Sequence, residues 1–261
     1  MSQFTVTPDQ IARFQQDGYL IVPHLFDAEE MGLMLQIARA DRGKQTRAVP
    51  DAQGGQSKIW LTSDTDREDI YNAFCHSRRV AGTMEKLLGD EVYLYHYKMT
   101  IKEPGEGGAW EWHQDYGYWY NNGCLFPDMA SCYIAVDPAH RANGCLQVIR
   151  GSHRLGRIDH DKVGGQTGAD AERVAQALEQ LELVYCEMQP GDALFFHANA
   201  LHRSDPNRSD EPRWGFICCY TTRHNPCRDL PGHPSYRPLA LWDDARIREL
   251  GTRQWAEMQG Q

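Results

Sequence analysis

From about residue 91 to residue 222 the chain is cut into short β-rich runs separated by turn signals, and this texture restricts the fold more than any other feature. The runs cover residues 92–101, 109–112, 131–136, 145–149, 183–188, 193–196 and 214–222. Pro104-Gly105, Asn143-Gly144, Gly151-Ser152 and Pro190-Gly191-Asp192 separate them. Many short strands with Gly/Pro turns point to a sandwich or jelly roll. Residues 168–182 interrupt the pattern, with Val174, Ala177, Leu178 and Leu181 at helical spacing.

The first quarter reads helical. Thr7 caps a helix with Pro8 at its first position and Gln10 three residues after the cap. Ile11 and Phe14 then share a face, and residues 18–22 read as a short strand. Asp27 caps a second helix with Glu29 and Glu30 in its first turn, and a third is expected over 79–88. The expectation is mainly β structure with flanking helices in one domain spanning residues 1–261. It divides into a helical part at about 1–90, a β core at about 91–222, and a C-terminal loop and helix at 223–261.

With 27 basic and 36 acidic residues the net charge is −9, which argues against a nucleic-acid or anionic-membrane partner. No run approaches the ~20 apolar residues of a membrane helix. MSQFTVTPDQ lacks the basic and apolar regions of a secretion signal, so a cytoplasmic location is expected. The eight cysteines show no CxxC spacing and read as buried, reduced thiols. Nothing in the sequence fixes the oligomeric state.

The densest chemical signal is Trp110-Glu-Trp-His-Gln-Asp-Tyr116. On a strand, residues i and i+2 share a face, so His113 and Asp115 would converge as mixed N/O metal ligands. A third ligand is available downstream, where His197 and His202 follow the run 193–196. A loop then leads from His202 to Arg213, and if it joins neighbouring strands the two residues face one pocket. Two His and one carboxylate with open positions form the facial triad of non-haem Fe(II) oxygenases. An Arg beside it holds a carboxylate through a two-pronged hydrogen bond.

These residues resemble the phytanoyl-CoA dioxygenase family, which includes the bacterial ectoine hydroxylases. The matching stretches are Trp112-His-Gln-Asp-Tyr, Asn143-Gly-Cys-Leu, Gly151-Ser-His-Arg, Pro190-Gly-Asp and Leu201-His-Arg-Ser-Asp-Pro-Asn with Arg213. The early Asp17-Gly-Tyr19 turn also matches. Tyr120-Asn-Asn-Gly123 stands where ectoine hydroxylases carry an acidic-glycine turn.

The resemblance implies a double-stranded β-helix, a cupin-like jelly roll, with Fe(II), 2-oxoglutarate as co-substrate, and O2. It implies His113, Asp115 and His202 as metal ligands, and Arg213 with Ser204 at the distal carboxylate of 2-oxoglutarate. His202 rather than His197 is the implied ligand, because only His202 has Ser at +2 and Arg at +11. Lys58 is implied as a co-substrate contact from a lid-like loop, and Lys98 and Tyr133 are further candidates. Related halogenases carry a small residue at the carboxylate position, so Asp115 implies hydroxylation of an unactivated C–H bond, with release of succinate and CO2. From the aromatic group, Trp112, Tyr116, Tyr118 and Trp119 are candidates to wall the pocket of a small-molecule substrate. The alternatives are desaturation or ring closure at the same site, a metal-dependent cupin-like hydrolase or isomerase, and a non-catalytic sensor of 2-oxoglutarate and iron. A hydrolase has no need of a carboxylate clamp at Arg213.

Overall fold

The computed structural model describes residues 4–41, 43–163, 165–225, 227 and 239–260. Helix α1 (Pro8–Asp17) carries the expected capping box at Thr7 and stops at Gly18, whose φ of 78° suits glycine. Strand β1 (Tyr19–Val22) follows, then α2 (Ala28–Ala40), capped by Asp27. The next stretch departs from the helical expectation, because β2 (Arg47–Pro50) and β3 (Gln56–Thr62) form an antiparallel hairpin. Helices α3 (Ile70–His76) and α4 (Ala81–Leu88) precede the core.

The core strands are β4 (Val92–Lys102), β5 (Trp110–His113), β6 (Met129–Ala135) and β7 (Leu146–Ile149). A short helix α5 (Asp115–Trp119) separates β5 from β6. The hairpin β8 (His160–Val163) and β9 (Gln166–Ala169) leads into α6 (Ala171–Gln180). Strands β10 (Leu183–Cys186), β11 (Ala193–His197), β12 (His202–Ser204) and β13 (Arg213–Thr222) complete the core. Helix α7 (Arg246–Gln259) packs on α2 and α3. Most of the expected 223–240 loop, including Pro226, Pro231, Pro234 and Pro238, lies outside the described residues.

Two antiparallel sheets face each other as a jelly roll. The larger has the order β1-β11-β6-β13-β4-β3-β2 and the smaller β10-β7-β12-β5. Alternation along β4 explains the layering. Tyr97, Met99 and Ile101 join Trp60 and Phe216 in a core against the helices. His96, Lys98, Thr100 and Lys102 point the other way, into the space between the sheets. A strand buried on both faces with polar residues on one of them marks an interior that does chemistry.

The cysteine expectation needs one correction. Cys124 and Cys227 form a disulfide across 103 residues, while the other six remain buried thiols. No spacing rule pairs cysteines that far apart. The bond becomes possible because the segment after α5 and the segment after β13 meet at one end of the roll, where Asn225 also bonds both ways with Phe126. Among the described residues, no helix is long and apolar enough to cross a membrane.

Candidate active site

The ligand atoms of His113, Asp115 and His202 lie within 4.8 Å of one another, and all three residues are buried. His113 ends β5 and His202 begins β12, and the two are partners in the smaller sheet. His113 Nδ1 donates to the Glu111 carbonyl at 2.6 Å, and His202 Nδ1 donates to the Ala200 carbonyl at 3.0 Å. A carbonyl only accepts, so each ring keeps its hydrogen on Nδ1 and leaves Nε2 unprotonated. Burial, followed by the neighbouring His202, pushes the His113 imidazolium down to about 3. Burial also lowers His202. Both rings are therefore neutral donors at ordinary pH.

Asp115 reaches the cluster by a different route from the one the spacing suggests. The strand ends at His113, Gln114 is the extended N-cap residue, and Asp115 opens α5. Its carboxylate is held by β6 in the opposite sheet, where Ser131 Oγ lies 2.8 Å from Asp115 Oδ2. Burial keeps the Cys219 thiol protonated by pushing it up to about 12, and its Sγ is 3.3 Å from Ser131 Oγ. Cys219 thus donates to Ser131, and Ser131 donates to Asp115. The other oxygen, Oδ1, faces His202 Nε2 at 4.0 Å. Burial works to raise the Asp115 carboxyl, but Lys98, the two histidines and Ser131 outweigh it and hold the group at about 2.

The turn between the two ligands is clamped. Gln114 Nε2 donates to the Gly156 and Asn199 carbonyls at 2.8 Å, and its Oε1 accepts from Ile158 N at 2.7 Å. The backbone N–H of Gln114 donates to His160 Nε2 at 2.9 Å. His160 in turn donates from Nδ1 to the Ile158 carbonyl at 2.8 Å, so its tautomer is fixed too.

The triad opens into a cavity of about 570 Å³ between the sheets. Arg213, Ser204, Tyr133 and Lys98 all line it. Arg213 is fully buried and donates from Nη1 to Tyr133 Oη at 3.2 Å. Arg213 Nε and Ser204 Oγ have no partner among the described residues. Such buried polar atoms need an acceptor, and a carboxylate supplies one. Gly215 makes room for this arrangement, since a Cβ there would lie 2.2 Å from the Tyr133 ring.

His202 and Arg213 are not neighbours on one antiparallel pair. His202 lies on β12 of the smaller sheet and Arg213 on β13 of the larger, so the loop between them crosses the gap. The two residues meet because the sheets face each other. Lys58 is a clearer departure. It lies on β3 with its side chain exposed, and it alternates with Ile59 and Leu61, which do line the cavity. The segment before it is no free lid either. Asp51 accepts from Gln53 N, Gly55 N and Ala109 N at 2.7–2.8 Å, which ties the hairpin turn to the β4–β5 connection.

The aromatic candidates divide. Tyr118 and Trp119 line the cavity. Tyr116 does not, since its hydroxyl donates to the Leu125 carbonyl at 2.6 Å inside the core. Trp112 packs on the outer side of the smaller sheet under the Arg203 guanidinium, 5.2 Å away. Trp110 takes its place, because the register shift between His202 and Ser204 lets Trp110 and His113, three residues apart, both meet the cavity. His197 turns away, packing against Phe14 and His153.

Sequence reasoning also passed over Ser131, Trp110, Thr100, Lys102, Gln166 and Arg47. Lys102 is fully buried beside Arg213, and its ammonium donates to the Asp205 and Ser204 carbonyls. Burial and then the Arg213 charge push it well below the usual lysine range. The polar alternation His96, Lys98, Thr100, Lys102 was the available signal for two of these residues. Arg47 and Gln166 carried none, because both come from hairpins outside the motif-bearing strands.

The chain matches the phytanoyl-CoA dioxygenase (PhyH) family over residues 14–215. It is 28% identical over 256 residues to L-proline trans-4-hydroxylase of Streptomyces griseoviridis, covering 91% of this chain and 93% of that protein. It is 32% identical over 225 residues to methylphosphonate hydroxylase of Gimesia maris, covering 80% and 78%. The crystal structure of EctD from S. alaskensis with 2-oxoglutarate and 5-hydroxyectoine superposes with a TM-score of 0.75 at 22% identity, covering 91% of this chain and 88% of that one. With the match spanning most of its length, the chain belongs to the phytanoyl-CoA dioxygenase family.

Proposed function

We propose that this iron- and 2-oxoglutarate-dependent dioxygenase holds Fe(II) through His113, Asp115 and His202 and hydroxylates a C–H bond of a small molecule. The observation that carries the reading is the convergence of two neutral imidazoles and one ionised carboxylate, all buried, at a cavity that also contains Arg213. No thiolate joins the set, which suits Fe(II) with open positions rather than a closed structural site. With iron bound, the co-substrate and O2 supply the oxidation, giving succinate, CO2 and a hydroxylated product.

The chain's own residues do the positioning. The Glu111 and Ala200 carbonyls fix the two histidine tautomers. Ser131 occupies Asp115 Oδ2 and leaves Oδ1 for the metal. Arg213 and Ser204 take the distal carboxylate of 2-oxoglutarate, with Tyr133 bracing the guanidinium. Lys98 stabilises the ionised Asp115 beside it. Tyr118 and Trp119 wall the substrate side. The hydrolase reading leaves Arg213 Nε and Ser204 Oγ without a purpose.

The substrate is a small polar metabolite. Proline and methylphosphonate, named for two relatives, are of the size that the cavity accepts beside 2-oxoglutarate. The test is conversion of 2-oxoglutarate to succinate by the Fe(II)-loaded protein under air, with mass spectrometry for a gain of one oxygen in a metabolite pool. No succinate in the presence of iron, 2-oxoglutarate and O2 would remove the assignment.

A further inference from the structure

We infer that Arg47 receives a carboxylate or phosphonate group of the substrate, so that the enzyme acts on small oxyanions. This rests on the reading above, which places iron and 2-oxoglutarate between the triad and Arg213. The first argument is charge. Three cations line the cavity, Arg47, Lys98 and Arg213, against one carboxylate, Asp115. Arg213 belongs to the co-substrate, and Lys98 shares the cavity with the oppositely charged Asp115. Fe(II) and doubly charged 2-oxoglutarate sum to zero, so the lining keeps two more positive than negative charges, and Arg213 is the one engaged by the co-substrate. Arg47 is left over, and among the described residues no carboxylate pairs with it.

The second argument is position. Arg47 lies on β2, the edge strand of the larger sheet, three strands from the central strand that carries Arg213. Its register partner is Ile59, Ile59 pairs with Thr100, and Thr100 pairs with Gly215. Arg47, Ile59 and Thr100 all line the cavity, so the row runs along the same wall as Lys98 and Ile217. Three strand spacings, ~14 Å, separate β2 from the strand of Arg213. A 2-oxoglutarate held between Arg213 and the triad lies over β13 and β12, not over β2. A second molecule, with its anion on Arg47 and its reacting carbon toward the triad, fills the space between.

The third argument is rigidity. Gln166 Nε2 donates to the Pro50 and Ala109 carbonyls at 3.0 and 2.9 Å, and its Oε1 accepts from Glu111 N at 3.1 Å. Asp51 ties the hairpin turn to Ala109. The strand that carries Arg47 is thus fastened at its far end to the strand that carries His113. A guanidinium on a fixed strand, lining the cavity together with Ile59 and Leu61, offers a two-pronged donor to an oxyanion. Neutral molecules and cations lacking an oxyanion do not meet that requirement.

The experiment compares small acids with their neutral counterparts. Amino acids, imino acids including L-proline, and short phosphonates including methylphosphonate are each presented beside the matching amide or neutral ester. Two signals are read: succinate formation above the substrate-free rate, and heat of binding to the anaerobic protein loaded with Fe(II) and 2-oxoglutarate. The inference expects acids to bind and stimulate while their amides or esters do not. Arg47→Gln should weaken the active acid roughly ten- to hundredfold, with Arg47→Lys between. The 2-oxoglutarate KM of Arg47→Gln should change far less than its acid affinity, since Arg47 sits on the edge strand and Arg213 on the central one. Stimulation by neutral compounds alone, no response to any acid, or an unchanged acid affinity in Arg47→Gln would each overturn the inference. Failure of wild type to make succinate at all would instead overturn the iron and 2-oxoglutarate reading.

Discussion

His113 and His202 stand directly opposite each other across β5 and β12, with ring centroids 4.1 Å apart. Each donates its Nδ1–H to the carbonyl two residues earlier in its own chain segment. The pairing makes the two rings one unit set by backbone, not by flexible side-chain partners.

Metal retention follows from that geometry. Replacing either histidine removes one of three ligands and leaves two buried polar groups without their common ion. His113→Ala and His202→Ala should each lose stoichiometric Fe(II), measured by a chromogenic iron assay after desalting, and lose succinate formation. His197→Ala should retain the iron, because that ring packs against Phe14 and His153 instead. Iron kept by His202→Ala and lost by His197→Ala would reverse the assignment.

Arg213 answers to a different readout. Its guanidinium is buried against Tyr133, and its Nε has no partner among the described residues. Arg213→Ala should raise the 2-oxoglutarate KM at least roughly tenfold, since charge-assisted hydrogen bonds contribute about 1.5–3 kcal/mol each. The substrate KM should change far less. An unchanged 2-oxoglutarate KM in folded Arg213→Ala would count against the clamp.

His197 gives the protein a pH-dependent stability. Asn199 N donates to His197 Nδ1 at 3.0 Å, so that nitrogen must stay unprotonated. Burial, with His153 adding to it, lowers the imidazolium from 6.5 to about 4. The unfolded chain therefore binds the proton first as pH falls. The stabilisation is complete above about 6.5 and is lost as pH drops toward 4. In thermal melts wild type should lose roughly 2 kcal/mol relative to His197→Phe over that interval, after allowance for the partly exposed ring. Parallel melting curves from pH 7 to pH 4 would remove His197 from the account.

Much of this was legible beforehand, for physical reasons that differ by residue. The capping boxes at Thr7 and Asp27 are local, and both appear where the sequence puts them. The β4 and β13 runs were readable because a strand buried on both faces is long and rich in apolar residues. The triad was reachable through its motif, although the strand geometry offered for Asp115 was not what brings it in. Its position depends on Ser131, 16 residues away in the facing sheet. Lys58, Trp112 and Tyr116 were misplaced because side-chain direction on a strand or turn depends on register, and a single shift reverses it. Arg47 and the disulfide partner Cys227 were invisible for a related reason. Each gains its meaning only from a segment distant in sequence.

The hairpin carrying Arg47 is a contiguous piece of chain, residues 47–62, that precedes every metal-binding residue. It borders the reaction chamber yet supplies none of the three ligands. On the inference that Arg47 meets the substrate, exchanging that segment between relatives would change substrate preference and spare the three ligands. Diversification of such enzymes would then proceed by editing residues on one wall, the one that holds no ligand.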